Sequence, residues 1–311
     1  MSSIRIAIVG FGKIARDQHL PSIRANSVFE LVGVASPHHR LEGVPNFATI
    51  EELFESVPAI DAIAQCTTPQ ARFASSRTAI ERGCHVLLEK PPGVTLTEVT
   101  ALVEHARRKG VALYASWHSR HAAAVEAARA WLSTRAVRRV KVTWKEDVRV
   151  WHPGQRWIWQ GGGLGVFDPG INALSILTRI VPGTLILEEA ELDFPANCET
   201  PIAARLALSN ASGTRVSMDL DFLQTGPQTW DIEAETDSGR MRLSMGGTIL
   251  EIDGRRIETP GPTEYAHLYA HFAGLVTRRA IDVDLAPLQL VADALLAGRR
   301  RSVPAFVEGP A

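Results

Sequence analysis

Ile4-Arg5-Ile6-Ala7-Ile8-Val9-Gly10-Phe11-Gly12-Lys13-Ile14-Ala15 is the stretch that decides the fold. An apolar run of strand length passes straight into Gly-x-Gly-x-x-Ala, and a helical pattern follows. The first glycine permits a tight turn, the second lets backbone approach a pyrophosphate, and the small third residue packs helix on strand. The anion then sits on the helix N-terminus. Alone the motif is weak, since an ordinary glycine-rich turn also matches it. Here a second apolar run, Glu30-Leu31-Val32-Gly33-Val34-Ala35, completes the βαβ unit that a dinucleotide fold requires.

After such a run a carboxylate usually accepts the ribose 2′-hydroxyl of NAD. This chain has Ser36-Pro37-His38-His39-Arg40 instead. A hydroxyl, imidazoles and a guanidinium suit a 2′-phosphate, which a carboxylate would repel. The expected cofactor is NADP, with NAD also accepted; an ordinary polar loop is the competing reading.

The alternation continues with helices over 51–56, 70–82 and 96–109 and strands over 59–65, 84–88 and 111–115, which makes a doubly wound α/β domain. The strand over 84–88 delivers Glu89-Lys90-Pro91-Pro92-Gly93. Proline fixes its own φ and pushes the preceding residue into extended geometry, so Lys90 is presented rigidly at a strand's C-terminal end, where open α/β sheets bind ligands. Taken alone, Lys-Pro reads better as a solvated turn; what precedes it in the chain reverses that. Thr67-Thr68-Pro69 stands at another strand end, as a helix cap, a lining of the cofactor site, or both. The candidate nucleotide-binding set is Gly10, Phe11, Gly12, Lys13, Ile14, Ser36, His38, Thr67, Thr68, Pro69, Glu89 and Lys90.

With 311 residues, 45% of them hydrophobic and 22% charged, the chain supports two globular domains, read as 1–119 and 120–311. Its 33 Lys and Arg against 34 Asp and Glu leave a net charge of −1, which gives no general attraction to nucleic acid or an anionic membrane. No apolar run reaches the roughly 20 residues of a membrane span, and the strand pattern begins too early for a signal peptide. A cytoplasmic protein is expected. Cys66, Cys84 and Cys198 are too few and too dispersed for a disulfide framework or a metal cluster, so reduced thiols and no metal are expected.

Past Trp117 the pattern changes. A helix over 122–132, a strand over 137–150 and a helix over 166–180 precede a series of strands between 190 and 257, and helices over 264–279 and 288–297 close the chain. Gly298 ends the last helix, and Arg299-Arg300-Arg301 is read as its solvated end. Successive strands without intervening helices imply an α+β domain with an open, mostly antiparallel sheet.

Four of the seven tryptophans, Trp144, Trp151, Trp157 and Trp159, lie among Glu146, His152, Gln155 and Arg156. Aromatic faces beside hydrogen-bonding groups suit a polyol, whose C–H faces are apolar and whose hydroxyls need partners; core or subunit packing is the alternative for some of them. Gly161-Gly162-Gly163 leads into a helix and allows a ligand to approach backbone. Asp168 and Asn172, four apart, share one helix face, and Asp168 before Pro169 also fits a cap. His267 and His271, four apart as well, lack an acidic third ligand and are read as solvated or interfacial.

With the fingerprint, "EKPPG" at 89–93 and "GGGLGVFDPGIN" at 161–172 resemble the glucose-fructose oxidoreductase / inositol dehydrogenase superfamily. Within it, "SWHSRH" at 116–121 and "WKEDVRVWHPGQ" at 144–155 are similar to bacterial aldose 1-dehydrogenases acting on D-galactose and L-arabinose. The resemblance spans essentially the whole chain. It implies a Rossmann domain joined to an α+β domain with an open mixed sheet, a catalytic lysine in the E-K-P motif, here Lys90, and subunits paired through the sheet as a homodimer or higher oligomer. The broader superfamily usually has Asp-x-x-x-His where this chain has Asp168 and Asn172. Asparagine exchanges no proton near neutral pH, so the proton falls to Lys90 or Asp168, and an aldose is favoured over inositol.

The expected activity is NAD(P)-dependent oxidation of the anomeric C1–OH of an aldopyranose, D-galactose or L-arabinose, to the lactone. Lys90, Asp168 and Asn172 are the catalytic candidates, with His118, Glu146, Trp151 and His152 on the remaining hydroxyls. A neighbouring nicotinamide cation and partial desolvation favour the neutral lysine amine. Two other classes compete: another oxidoreductase of this fold, with an inositol, dihydrodiol or imine substrate, and a non-catalytic nucleotide-binding sensor, which the retained lysine and aspartate oppose.

Overall fold

Ile4–Val9 is a central strand whose Ile6, Ala7 and Ile8 are wholly buried, as expected where a parallel sheet is covered on both faces. The computed structural model describes residues 3–261 and 263–308; the remaining residues of the two expected domains lie outside the described residues. The chain divides into two units. One takes the described residues through His118 together with Thr263–Asp284, the other the described residues of 119–262 and of 285–311.

In the first unit seven strands run in the order Ile281–Asp282, Leu113–Ser116, His85–Glu89, Ala62–Gln65, Ile4–Val9, Phe29–Ala35 and Asn46–Phe47, every pair parallel. The order reverses beside Ile4–Val9, and the crevice beyond the strand ends at such a switch point is where doubly wound folds bind nucleotides. Ala7 and Val9 pack with Leu53, Ile80 and Leu102 of the helices Ile50–Ser56, Pro69–Glu81 and Leu96–Lys109. Ile6 and Ile8 face the other way, onto Tyr265, Leu268, Tyr269 and Phe272 of the helix Glu264–Arg278. Sequence order places that helix in the second domain, but its contacts place it in the first. The physical reason is coverage: among the helices before residue 118, only the one after the glycine turn lies on this face, and a parallel sheet needs both faces buried.

The helix after Gly12 carries a π-helical turn over Ala15–His19, in which the Leu20 N–H bonds to the carbonyl of Ala15. Pro21 explains it, since it has no N–H for the carbonyl of Asp17 and its ring crowds that oxygen. Leu96–Lys109 shows the strongest local encoding: Thr95 and Glu98 form a reciprocal capping box, and Gly110 ends the helix at φ 67°.

The second unit is a nine-stranded sheet in the order Arg255–Ile257, Ile249–Ile252, Gly239–Ser244, Thr229–Thr236, Val137–Lys145, Arg215–Asp221, Ala203–Ser209, Ile186–Pro195 and Arg299–Val303. Two of its pairings are parallel and the rest antiparallel. Val140, Val142 and Trp144 point inward while Arg139 and Lys141 are exposed, so one face packs on helices and the other meets solvent. Phe167–Ile180 lies on the packed face, where Gly170 lets it approach Leu220; a β-carbon there would sit 2.6 Å from the leucine Cδ1.

Two expectations fail locally. The strand expected over 137–150 ends at Lys145, because the Asp147 carboxylate accepts the Arg149 N–H at 3.0 Å and starts a short helix, Val148–Trp151. The arginine run is no helix end but an edge strand, with Arg301 in a bidentate pair with Asp193 and Arg300 over the Phe194 ring. Gly298 follows the helix in extended backbone, where a β-carbon would press on the Ala294 carbonyl oxygen.

Candidate active site

In the first unit Gly10 turns at φ 86°, and a β-carbon on it would sit 2.6 Å from the Thr67 nitrogen. Only glycine fits, so this backbone is bare by necessity. A β-carbon on Gly12 would meet nothing, which leaves open space beside the start of the helix. Thr67 Oγ1 is buried and has no hydrogen-bond partner among the described residues. Thr68 occupies the N-cap position of Pro69–Glu81, though its side chain makes no capping bond. A cavity of about 280 Å³ runs beside the turn, with Gly10, Ala35, Pro37, Glu51, Thr67 and Ser75 in its lining. A bare turn, a helix N-terminus and an orphaned hydroxyl together fit a dinucleotide.

Ser36 follows its strand directly and is nearly buried, its oxygen accepting the His39 N–H at 3.4 Å; His38, His39 and Arg40 are exposed. Phe11 buries its ring in the core, so what it offers a ligand is backbone, and Lys13 pairs with Asp17 one turn along. Sequence reasoning missed Glu51, a carboxylate lining this cavity, because it stands fifteen residues beyond the place where selectivity is normally read.

Lys90 is half-buried at the end of His85–Glu89 and precedes buried Pro91 and Pro92, the Lys90–Pro91 peptide being cis. Its N–H donates to Glu89 Oε2 at 2.6 Å. The other oxygen of Glu89 accepts from the Tyr265 hydroxyl at 2.7 Å and lies 3.1 Å from His19 Nε2, while His19 Nδ1 is 2.7 Å from the Tyr269 hydroxyl. Burial by itself would raise the Glu89 carboxyl, but the hydrogen bond and charge of His19 outweigh it and hold the group far below the carboxylate range. Glu89 thus turns its carboxylate inward. His118 places Nδ1 2.7 Å from Glu264 Oε2 and stacks on Tyr265 at 5.3 Å.

In the second unit Glu146, His152 and Asp168 come together. Glu146 Oε1 lies 3.2 Å from His152 Nε2, and His152 Nδ1 lies 3.8 Å from Asp168 Oδ2, with both carboxylates at most 3% exposed. Glu146 Oε2 accepts the Trp230 Nε1–H at 2.9 Å. Trp230 has Trp144 stacked at 6.0 Å and Trp151 tilted at 4.8 Å; Trp144 is core, whereas Trp151 is 40% exposed. Trp230 pairs with Trp144 across the sheet, a register that no local pattern reveals.

Asn172 lies one turn beyond Asp168, and its carbonyl accepts the Ser175 hydroxyl at 2.7 Å. Asp168 sits inside the first turn of Phe167–Ile180 with Val166 at the N-cap, so it is not the cap that its place before Pro169 suggests. The glycine run also serves the chain itself: a β-carbon on Gly163 would strike the Trp157 and Ile158 carbonyls, and one on Gly165 would strike that of Pro201. His271, read as solvated or interfacial, places Nε2 2.7 Å from Asp282 Oδ2 within its own unit. Among the described residues no group of three His, Cys, Asp or Glu side chains is arranged to hold a metal ion, and no helix is long and apolar enough to cross a membrane.

Residues 4–116 match the oxidoreductase family with an NAD-binding Rossmann fold. A galactose 1-dehydrogenase of Pseudomonas fluorescens is 47% identical over 308 residues, 99% of this chain and 100% of that protein. The crystal structure of a D-galactose-1-dehydrogenase from Rhizobium etli is 52% identical with a TM-score of 0.95, covering 99% of each chain. A 3-ketoreductase of Actinomadura kijaniata, solved with NADP and TDP-benzene, is 18% identical with a TM-score of 0.85 over 97% of this chain and 100% of that one, a likeness of fold alone.

Proposed function

The chain belongs to the glucose-fructose oxidoreductase / inositol dehydrogenase family of oxidoreductases, and from that premise we propose that it oxidises the anomeric C1–OH of D-galactose, and of L-arabinose with the same ring configuration, to the aldonolactone. The observation that carries this reading is the line of Glu146, His152 and Asp168, in which one half-buried imidazole lies between two buried carboxylates, with the part-exposed Trp151 tilted on the Trp230 that donates to Glu146. Carboxylates and an imidazole give a polyol its acceptors and a donor, and an indole face takes its C–H surface. Similarity to galactose 1-dehydrogenases along the full length supports the sugar.

The turn at Gly10 and Gly12, the Thr67 hydroxyl and the loop from Ser36 would hold the nucleotide, which when bound supplies the acceptor for the C1 hydride. As the C1=O bond forms, the proton of the anomeric hydroxyl passes to Lys90 Nζ, whose backbone is anchored at Glu89. Asp168 accepts a hydrogen bond from a sugar hydroxyl and His152 ties that carboxylate to Glu146. The Asn172 amide orients without exchanging a proton, and His118, oriented by Glu264, binds a further hydroxyl.

We infer that NADP is preferred and NAD accepted: Ser36 brings no charge and His38 and Arg40 are exposed to meet a phosphate, while Glu51 counts against it. Three free thiols support a reducing, cytoplasmic setting. We also infer a homodimer or higher closed oligomer built on the open sheet, for which sedimentation of a single monomer-mass species at micromolar concentration is the contrary result. The activity is tested with a panel of aldoses, inositol and a cyclic imine against each nucleotide, followed at the reduced-nicotinamide absorbance. Galactose and arabinose should lead; turnover of inositol or imine alone would replace the reading.

A further inference from the structure

We propose that a buried clamp positions Lys90, with the Glu89 carboxylate on its N–H and the Arg72 guanidinium on the carbonyls either side, and that His19 and Tyr265 hold the clamp in register. The inference rests on the reading of Lys90 as proton acceptor, and goes beyond it by naming what fixes that group.

The backbone beyond the strand has almost nothing with which to hold itself. Pro91 and Pro92 lack N–H groups, so from Lys90 to Pro92 the one donor is that of Lys90, and it goes to Glu89 Oε2. Where that carboxylate sits, the turn follows. Its other oxygen is fixed from two different elements: His19 from the helix after the glycine turn and Tyr265 from the helix Glu264–Arg278. Two carbonyls of the turn are gathered by one side chain. Arg72, 3% exposed on Pro69–Glu81, donates through Nη1 to the Glu89 carbonyl at 2.6 Å and to the Pro91 carbonyl, and through Nη2 to the Thr67 carbonyl. The planar fork of arginine makes this possible, as a lysine ammonium would not. Because Thr67 also abuts Gly10, the guanidinium ties the lysine turn to the wall of the nucleotide turn.

Stability alone does not call for such an arrangement, since buried ion pairs are often replaced by well-packed apolar groups at no loss. Charged groups aimed at the backbone on both sides of one lysine are what placement requires. Buried, charge-assisted bonds are also stiffer than neutral ones, and a reacting group displaced by about 1 Å loses on the order of a hundredfold in rate.

The test uses the full-length protein and two variants chosen to fold. Tyr265→Phe removes one hydroxyl and leaves the ring stacked on His118, and Arg72→Lys keeps the charge without the fork. Steady-state kinetics with galactose and NADP are combined with NADP titration and backbone hydrogen exchange of the segment around Lys90, where only Glu89, Lys90 and Gly93 carry amides. Each variant should lose about ten- to a hundredfold in kcat and exchange the Lys90 amide at least about tenfold faster, and Tyr265→Phe, which leaves the bond from Arg72 to Thr67 intact, should keep KM and nucleotide Kd within about twofold. A folded variant with unchanged kcat, or one that loses kcat while Lys90 exchange stays unchanged, would overturn the clamp. Should the unmodified protein oxidise no aldose, the proposed function falls, and exchange at Lys90 by itself then decides the clamp. If Arg72→Lys does not fold, Tyr265→Phe carries the decision.

Discussion

Nε2 of His19 lies 3.1 Å from Oε1 of Glu89, and both side chains are sealed from solvent. Burial alone opposes the charged imidazole, but Cys66 and Glu89 beside it outweigh that and push its pKa up to about 10. The π-helical turn that ends at His19 brings the ring there, a consequence of Pro21 two residues on.

The pair sets a pH dependence of stability. His19 keeps its proton in the folded chain up to about pH 10 and loses it near 6.5 when unfolded, so its contribution is complete below 6.5 and drains away as pH rises toward 10. Glu89, held below its ordinary 4.5, contributes fully above that value and loses the contribution as pH falls through and below it. The maximum therefore lies between pH 4.5 and 6.5 as far as this pair decides it. His19→Gln should cost roughly 3–5 kcal/mol by leaving the buried Glu89 carboxylate without its counter-charge. Melting curves across this range should show a steep alkaline decline for the native protein and a shallow one for the variant; parallel declines would remove the pair as the cause.

Much of the first unit was legible because its signals are local. Ile4–Val9 and the glycine turn adjoin in sequence, and Lys90 is announced by the prolines after it. What surrounds Lys90 was not legible: Tyr265 reaches Glu89 from 176 positions away and Tyr269 reaches His19 from 250. In the second unit Glu146, His152 and Asp168 stood out by residue type, whereas Trp230 joins Glu146 only through strand register. Arg299–Val303 hid as a strand because its charges answer Glu191, Asp193 and the ring of Phe194 instead of forming an apolar alternation.

Removal of Lys90, the proposed proton acceptor, and of Asp168, the carboxylate proposed to hold a sugar hydroxyl, should separate chemistry from nucleotide binding. Lys90→Ala and Asp168→Ala are each expected to lower kcat by roughly 10²–10⁴-fold with nucleotide affinity largely kept. Fluorescence titration with NADP beside steady-state rates checks both halves. Undiminished turnover in Lys90→Ala would take lysine out of the mechanism.

Cofactor choice should respond to charge around Ser36 in both directions. Ser36→Asp adds a carboxylate that repels the 2′-phosphate and should move kcat/KM toward NAD, while Glu51→Gln removes one from the cavity lining and should move it toward NADP. Each shift is expected at roughly tenfold, about 1.4 kcal/mol. Strict NAD dependence of the unmodified protein would contradict the account of this loop.

The claim at the centre is that the bond broken is C1–H of the sugar, and D-galactose carrying deuterium at C1 tests it directly. Mass spectrometry of the reduced nucleotide and of the sugar product after one turnover should find the label on the nucleotide and none left on the lactone. Reduced nucleotide without label, beside a sugar product that retains its deuterium, would put the oxidation at another carbon and contradict the assignment.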